Sequence, residues 1–272
     1  MDNRISSFFE NEKIEYFSAL DYKDLREINP RLVERHGMTP RSALIFLIPY
    51  YAGRAENLSI YAASFDYHII IKEITDRLIG LLREIYPENH FLGFGDHSPI
   101  DERSAALISG LGILGENGLL INEKYGSYVF LADVITDVPP SLLGVEKKKE
   151  ISFCEGCGAC KRACPTGILR GECAECLSAI TQKKGELSDF EVELMMKVGT
   201  VWGCDACQTA CPYNQRPKMT PIEFFFGNRI EYLTSEKIDS MTNEEFAKRA
   251  FAWRGKKTIK RNLEHFEKSY KT

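Results

Sequence analysis

The sequence predicts an α/β fold for residues 1–150, followed by a small cysteine-rich domain and a helical extension. Residues 43–48 form a continuous apolar run, which is typical of a strand buried on both faces. Residues 66–86 carry apolar side chains at helical spacing. All nine cysteines lie between Cys154 and Cys211. This clustering indicates metal ligation, because a disulfide scaffold is normally short and secreted.

The first 150 residues alternate between predicted strands and helices. In the clearest helix, Ile70, Ile74 and Leu78 recur at every fourth position, and Pro87 follows as a stop. Pro49 likewise closes the first strand. The remaining predicted elements are, in order, a strand at residues 90–94, a helix at 101–109, and strands at 118–122 and 127–137 around a turn.

Shifts in composition divide the chain into three predicted domains. Prolines at 139 and 140 and a charged run at 146–150 mark the end of the first domain. Capping-box patterns at 188–191 and 242–245 predict two later helices, the first extending to about residue 198. The predicted domains are an α/β domain at 1–150, a cysteine-rich domain at 151–220 and a helical extension at 221–272.

Composition favours a cytoplasmic protein. The formal net charge of −4 and the pI near 5.9 provide no overall basic field for nucleic acid. The chain begins without a twin-arginine or cleavable apolar segment. Its longest apolar run, residues 43–52, is too short to span a bilayer. We therefore expect no membrane association.

The first cysteine group has the spacing Cys154-x-x-Cys157-x-x-Cys160-x-x-x-Cys164-Pro165. This is the pattern of bacterial ferredoxins, in which three closely spaced thiolates bind one 4Fe-4S cluster and the fourth reaches a second cluster. Zinc sites also use C-x-x-C pairs, but seldom three cysteines at this spacing before Cys-Pro. The group therefore predicts two 4Fe-4S clusters and one-electron transfer.

The second cysteine group supplies the remaining ligands. Its spacing is Cys204-x-x-Cys207-x-x-x-Cys211-Pro212, with Cys173 and Cys176 between the two groups. The crossed ferredoxin arrangement assigns four cysteines to one cluster: Cys154, Cys157, Cys160 and Cys211. It assigns to the other cluster Cys164, Cys204, Cys207 and one of Cys173 or Cys176, a choice that the spacing leaves open.

Two features of the first domain suggest a site. Gly110, Gly112 and Gly115 match G-x-G-x-x-G, but a helix precedes them and a strand follows, so NAD binding is not expected. The glycines instead predict that a neighbouring element or a flat cofactor approaches the backbone closely. Asp96 follows a predicted strand end, where it is either a catalytic group or the cap of the helix beginning near Pro99.

Together, Asp96, the glycine motif and the two cysteine groups resemble the epoxyqueuosine reductase family. The resemblance runs from about Ala43 to Arg261 and is most specific at residues 61–68, 96–137, 154–167, 176–178 and 203–214. It implies a flavin-reductase-like α/β domain that binds cobalamin, and a bacterial ferredoxin-like double-cluster domain. It also implies that Asp96 is the proton donor and that Cys176, not Cys173, is a cluster ligand. The implied cobalamin contacts are Tyr67, His68, Gly110, Gly112, Gly115, Asn117 and Leu119.

The resemblance implies reductive removal of an epoxide oxygen from epoxyqueuosine in tRNA, with electrons from an external donor such as ferredoxin or flavodoxin. The chain resembles a short form without the C-terminal helical repeats of many members. It departs from the family pattern at Ser64-Phe65 and Glu116. A basic group near the end of the chain is a candidate for contact with phosphate: Arg254, Lys256, Lys257, Lys260 and Arg261.

Two alternative functions are compatible with the same residues. A corrinoid-dependent reductase of a small or halogenated molecule would share the cofactor, as in the more distantly similar reductive dehalogenases. A non-catalytic electron carrier would contain the clusters without bound cobalamin, and replacing Asp96 would leave its electron transfer intact. The extent of the resemblance across the first domain makes the electron carrier the less favoured alternative.

Overall fold

The computed structural model describes residues 1–269. Its contacts divide the chain into two compact units. The first contains Met1–Tyr50 and His68–Gly156, and the second contains Tyr51–Tyr67 and the chain from Cys157 onward. The predicted domain limits at residues 150 and 220 stay a prediction.

The first unit has six strands and five helices among its described residues. The strands are β1 (Phe17–Asp21), β2 (Ser42–Pro49), β3 (Phe91–Phe94), β4 (Ile113–Leu114), β5 (Leu120–Ile121) and β6 (Val129–Thr136). The helices are α1 (Asn3–Asn11), α2 (Arg31–Glu34), α3 (Tyr67–Ile85), α4 (Glu102–Ile108) and α5 (Pro140–Leu143). The predicted α/β class is confirmed, as are the strand at β2 and the helices at α3 and α4.

The main sheet has the order β1-β2-β6-β3, and every neighbouring pair is antiparallel. All eight residues of β2 are buried, which explains its continuous apolar sequence. Side chains alternate between the faces of a strand. Ile45 and Leu47 of β2 and Ile135 of β6 share a core with Ala105 and Leu107 of α4. The helix α4 therefore covers one face of this sheet.

The predicted strands at 118–122 and 127–137 both form, but they do not pair as neighbours. The first is the short β5, which pairs with β4 in a separate two-stranded sheet. The second is β6, which lies between β2 and β3. Strand β1 and helix α1 were not predicted. Phe9 of α1 stacks on Phe17 at 4.2 Å between ring centroids, so these elements complete the core.

The second unit is helical in its described part. Its helices are α6 (Ala159–Ala163), α7 (Leu177–Thr181), α8 (Asp189–Val198), α9 (Ala206–Thr209), α10 (Ser235–Ser240), α11 (Asn243–Ala247) and α12 (Lys256–Ser269). Both predicted capping boxes are present, at Ser188 and Thr242. The helix that Thr242 opens is only the short α11, and the longer α12 begins after Gly255.

Residues 51–67 form part of the core of the second unit. Ser59 donates its N–H to the carbonyl of Trp202 at 2.8 Å, and Asn57 makes two hydrogen bonds with the backbone of Leu233. Trp202 is fully buried among the apolar side chains of this unit. Within residues 1–269, none of the helices has the length and hydrophobicity required to cross a membrane.

Candidate functional site

Cys154 lies beside the glycine motif within the first unit. Residues 152–154 run parallel to β4: the N–H of Leu114 donates to the carbonyl of Ser152, and the N–H of Cys154 donates to the carbonyl of Leu114. The N–H of Glu116 points at the Cys154 sulfur, at 3.4 Å. Backbone N–H groups directed at sulfur are characteristic of iron–sulfur sites, where they tune the cluster potential. The first cysteine of the ferredoxin pattern is therefore held against the turn that follows Gly115.

Cys164 has donors suited to a thiolate. Burial alone would raise the pKa of Cys164, but N–H groups of Leu169, Gly167 and Thr166 and the Thr166 hydroxyl together bring it below its usual value. Gly167 has a φ of 72°, a conformation that favours glycine. The chain following Cys164 thus folds its amides around the sulfur.

A second group of sulfurs forms in the same unit. Burial, together with charges on Cys176, Asp205 and Cys207, raises the pKa of Cys204 to about 12. The charges of Cys176 and Cys207 act on Cys204 because the three sulfurs lie near one another. Iron bound between them would relieve this repulsion. Across residues 1–269, no three His, Cys, Asp or Glu side chains converge tightly enough to hold a single metal ion.

Neighbouring protein atoms explain why the three motif positions are occupied by glycine. A Cβ on Gly112 would lie 2.6 Å from the carbonyl oxygen of Ile121, and one on Gly115 would lie 2.5 Å from the Asn117 amide oxygen. Gly110 has a φ of 73° and lies against the Lys149 side chain. The sequence predicts that either a neighbouring element or a flat cofactor lies close to these glycines, and the structure contains the neighbouring element. Their contact with a cofactor stays a prediction.

Asn117 fits a bound group at this turn. Its side-chain oxygen accepts the N–H of Leu119 at 3.3 Å. Its Nδ2 is buried and has no hydrogen-bond partner among the described residues. A buried donor without a partner costs free energy, so a polar cofactor group that accepts from Nδ2 would satisfy it.

Asp96 lies in a strained loop after β3. Its φ is 69°, which is uncommon for a residue with a side chain. Its N–H donates to Oε1 of Glu102 at 3.1 Å, and Nε2 of His68 lies 3.7 Å from its Oδ2. The side chain is 66% exposed and borders a cavity of about 320 Å³ that Asp101, Glu102 and Arg103 also line.

The alternative role predicted for Asp96, capping the following helix, is wrong. Helix α4 begins at Glu102, and Asp101 is its N-cap because the Asp101 carboxylate accepts the N–H of Ser104 at 3.0 Å. Asp96 instead lines the cavity, with its carboxylate 3.7 Å from His68. His97 is also exposed and borders the same cavity.

Sequence reasoning missed two acidic residues beside this loop. Glu102 contacts Asp96 directly, as described above. Asp133 is fully buried in β6. The signal for Asp133 was its position inside the apolar run of residues 131–135, because an ionisable side chain inside a buried strand requires a reason.

The basic group near the chain end is largely engaged within the second unit. Lys260 pairs with Asp239 at 2.7 Å, and Arg261 donates to the carbonyls of Lys183 and Gly185. The Arg254 guanidinium lies 3.7 Å from the Trp253 ring centroid. Lys257 is exposed. These contacts give most of the group a structural role.

The chain matches the family model described as a 4Fe-4S double cluster binding domain, over residues 153–214. It is 29% identical to the epoxyqueuosine reductase of Lactococcus garvieae, covering 95% of this chain and 77% of the relative. It is 32% identical to that of Bacillus subtilis, covering 74% of this chain and 54% of the relative. The chain thus spans about half to three quarters of the length of these relatives.

Solved structures agree with this similarity. An epoxyqueuosine reductase bound to an epoxyqueuosine-modified tRNA-Tyr stem loop matches with a TM-score of 0.79 at 21% identity, covering 97% of this chain and 80% of that chain. A reductive dehalogenase of B12-dependent mechanism matches more distantly, with a TM-score of 0.50 at 15% identity, covering 95% of this chain and 37% of that chain. The chain is thus similar in sequence to epoxyqueuosine reductases and similar in fold to their solved structures.

Proposed function

We propose that this chain is a cobalamin-dependent iron–sulfur reductase that removes the epoxide oxygen of epoxyqueuosine in tRNA. The observation that carries the proposal is the contact between Cys154, the first cysteine of the ferredoxin pattern, and the turn after Gly115. An electron on a cluster bound by Cys154 would lie beside the glycine motif. The named activity of the relatives and the stem loop bound by the solved relative support the substrate.

The proposed cluster ligands follow from the ferredoxin pattern and from the surroundings of the sulfur atoms. Cys176 is preferred to Cys173 because it is close enough to Cys204 to raise the pKa of that thiol. One cluster then takes Cys154, Cys157, Cys160 and Cys211, and the other takes Cys164, Cys176, Cys204 and Cys207. An external one-electron donor such as ferredoxin or flavodoxin would reduce them.

The glycine motif and its surroundings are the proposed cobalamin site. Bound cobalamin would supply a low-valent cobalt, a strong nucleophile and electron donor. The buried Nδ2 of Asn117 would donate to a polar group of the cofactor. The glycines let this turn pack closely against Ile121 and Asn117. The other proposed contacts are Gly110, Gly112, Gly115, Leu119, Tyr67 and His68.

Asp96 is the proposed general acid. Conversion of an epoxide to an alkene and water consumes two electrons and two protons, and the departing oxygen must be protonated. The Asp96 carboxyl borders the cavity and can deliver a proton from Oδ1 or Oδ2. His68, 3.7 Å away, can return a proton to Asp96 after each turnover. A tRNA substrate places the reaction in the cytoplasm.

The test is turnover with the reconstituted chain. Protein carrying both clusters and cobalamin is incubated anaerobically with a reduced donor and epoxyqueuosine-containing tRNA, and the nucleoside is analysed by mass spectrometry. We expect loss of one oxygen with wild type and a loss of activity of about 100-fold or more in Asp96→Asn. Asp76→Asn, which changes an exposed aspartate of α3, is the control and should retain activity. Full activity of Asp96→Asn would contradict the assigned acid.

A further inference from the structure

Glu102 makes a contact that the proposed reaction does not use. Its Oε1 accepts the N–H of Asp96 at 3.1 Å, and Asp96 has a φ of 69°. A residue with a side chain adopts this conformation only when its surroundings favour it. Glu102 is the first residue of α4 and so belongs to the helix that covers the sheet. A rigid element thus holds the backbone of the loop that presents Asp96.

The surroundings of Glu102 make its charge sensitive to pH near neutrality. Burial raises the pKa of Glu102, the charges of Asp96 and Asp101 add to the rise, and the Asp96 N–H and His68 oppose it. The net result is a pKa of about 7. Carboxylate and carboxylic acid forms of Glu102 therefore both occur at physiological pH.

Asp133 lies behind Glu102 on the covered face of the sheet. It pairs in register with Phe94 of β3 and shares a strand face with Ile135, which packs against α4. Both Asp133 oxygens lack a well-formed hydrogen bond within the described chain. Burial and then the Glu102 charge raise the pKa of Asp133 well above its usual value, although the Ser98 hydroxyl lowers it. A charge on Glu102 thus disfavours ionisation of Asp133 further.

The nearby arginines do not neutralise Glu102. Arg103 donates to the carbonyl of Gly118 at 2.6 Å. Arg26 lies 3.5 Å from the Asp101 carboxylate. The N–H of Asp96 is therefore a principal stabiliser of the Glu102 carboxylate, and linkage makes the effect mutual. Because that bond lowers the pKa of Glu102, ionisation of Glu102 favours the loop conformation in which the bond forms.

We propose that Glu102 is a positioning residue whose carboxylate holds the Asp96 loop in place and whose protonation releases it. The hydrogen bond and its response to pH do not depend on the proposed function. Only the consequence rests on it, namely that Asp96 is presented to substrate while Glu102 is ionised. Loss of one proton from Glu102 strengthens its bond with the Asp96 N–H, because hydrogen bonds to charged acceptors are stronger than neutral ones. The proposal assigns this ionisation to Glu102 alone.

Hydrogen exchange at the Asp96 amide tests the proposal without cobalamin or substrate. The full chain with its clusters is exchanged between pH 5.5 and 8.5, and the rates are corrected for intrinsic exchange. In wild type we expect protection of Asp96 to fall about tenfold as pH decreases through about 7. Glu102→Gln retains an acceptor oxygen without a titrating charge, so its protection should not vary with pH. Glu102→Ala should be poorly protected throughout.

The controls separate this contact from general destabilisation. Glu88→Gln changes an exposed glutamate before β3 and should keep the wild-type profile. Asp133→Asn removes the other buried carboxyl group beside Glu102 and should leave the midpoint in place. A wild-type pH profile in Glu102→Gln, or a shifted midpoint in Asp133→Asn, would overturn the assignment to Glu102. Since no turnover is measured, failure here is distinct from failure of the proposed activity.

Discussion

Asp205 links residues 51–67 to the second cysteine group inside the second unit. Its Oδ1 accepts the Ser59 hydroxyl at 2.5 Å, and its Oδ2 accepts the N–H of Ile60 at 2.6 Å. Burial raises the pKa of Asp205, and both of these bonds lower it. Because Asp205 lies between Cys204 and Cys207, the same contacts fix the loop that carries these two proposed ligands.

Replacing Asp205 with alanine removes both bonds. A hydrogen bond to a charged group contributes about 1.5–3 kcal/mol, so we expect local opening to become easier by about 3 kcal/mol or more. That change corresponds to an increase of about 100-fold in the exchange rate of the Ile60 amide. Asparagine retains one acceptor oxygen, so Asp205→Asn should raise the rate only about tenfold.

The assay is native-state hydrogen exchange of the full chain with its clusters, together with the rate of iron loss to a chelator. Both rates should rise in the order wild type, Asp205→Asn, Asp205→Ala. Asp189→Ala, an exposed position in the first turn of α8, should leave both rates unchanged. An Ile60 amide that exchanges at the wild-type rate in Asp205→Ala would refute the reasoning.

Two further predictions concern ligand choice and packing. Cys176→Ser should reduce the iron content from about eight atoms per chain by up to half, whereas Cys173→Ser should retain it; the reverse result in iron and sulfide analysis would reassign the ligand. Gly112→Ala should destabilise the chain by about 1–3 kcal/mol, because its Cβ would lie 2.6 Å from the Ile121 carbonyl. Gly80→Ala, at an open position of α3, should stabilise the chain by up to about 1 kcal/mol. Thermal unfolding midpoints that shifted in the same direction in both variants would contradict this packing argument.

Elements with long periodic or continuous apolar patterns could be predicted from the sequence. β2 is buried along its whole length, and α3 repeats its apolar positions over several turns, so each pattern reports burial directly. The capping box at Ser188 likewise depends on residues three positions apart. In each case, neighbours in sequence determine the structure.

The remaining features depend on contacts between distant residues. β4 and β5 are two residues each and carry no periodicity, so their pairing could not be distinguished from a hairpin with β6. The grouping of residues 51–67 with the second unit depends on bonds to residues beyond 200, such as that of Ser59 with Trp202. The cysteine spacing predicts the type of cluster. It does not distinguish Cys176 from Cys173, because the proximity of Cys176 to Cys204 depends on the folded chain.

The central claim is that one chain combines a corrinoid site with two iron–sulfur clusters. Anaerobic titration of the cluster-loaded protein with cobalamin, followed by ultraviolet-visible and electron paramagnetic resonance spectroscopy, tests it most directly. The account predicts saturation at about one cobalamin per chain, with a cobalt signal that broadens when the cluster near Cys154 is reduced. Two cluster signals with no cobalamin bound would contradict it and would indicate an electron carrier.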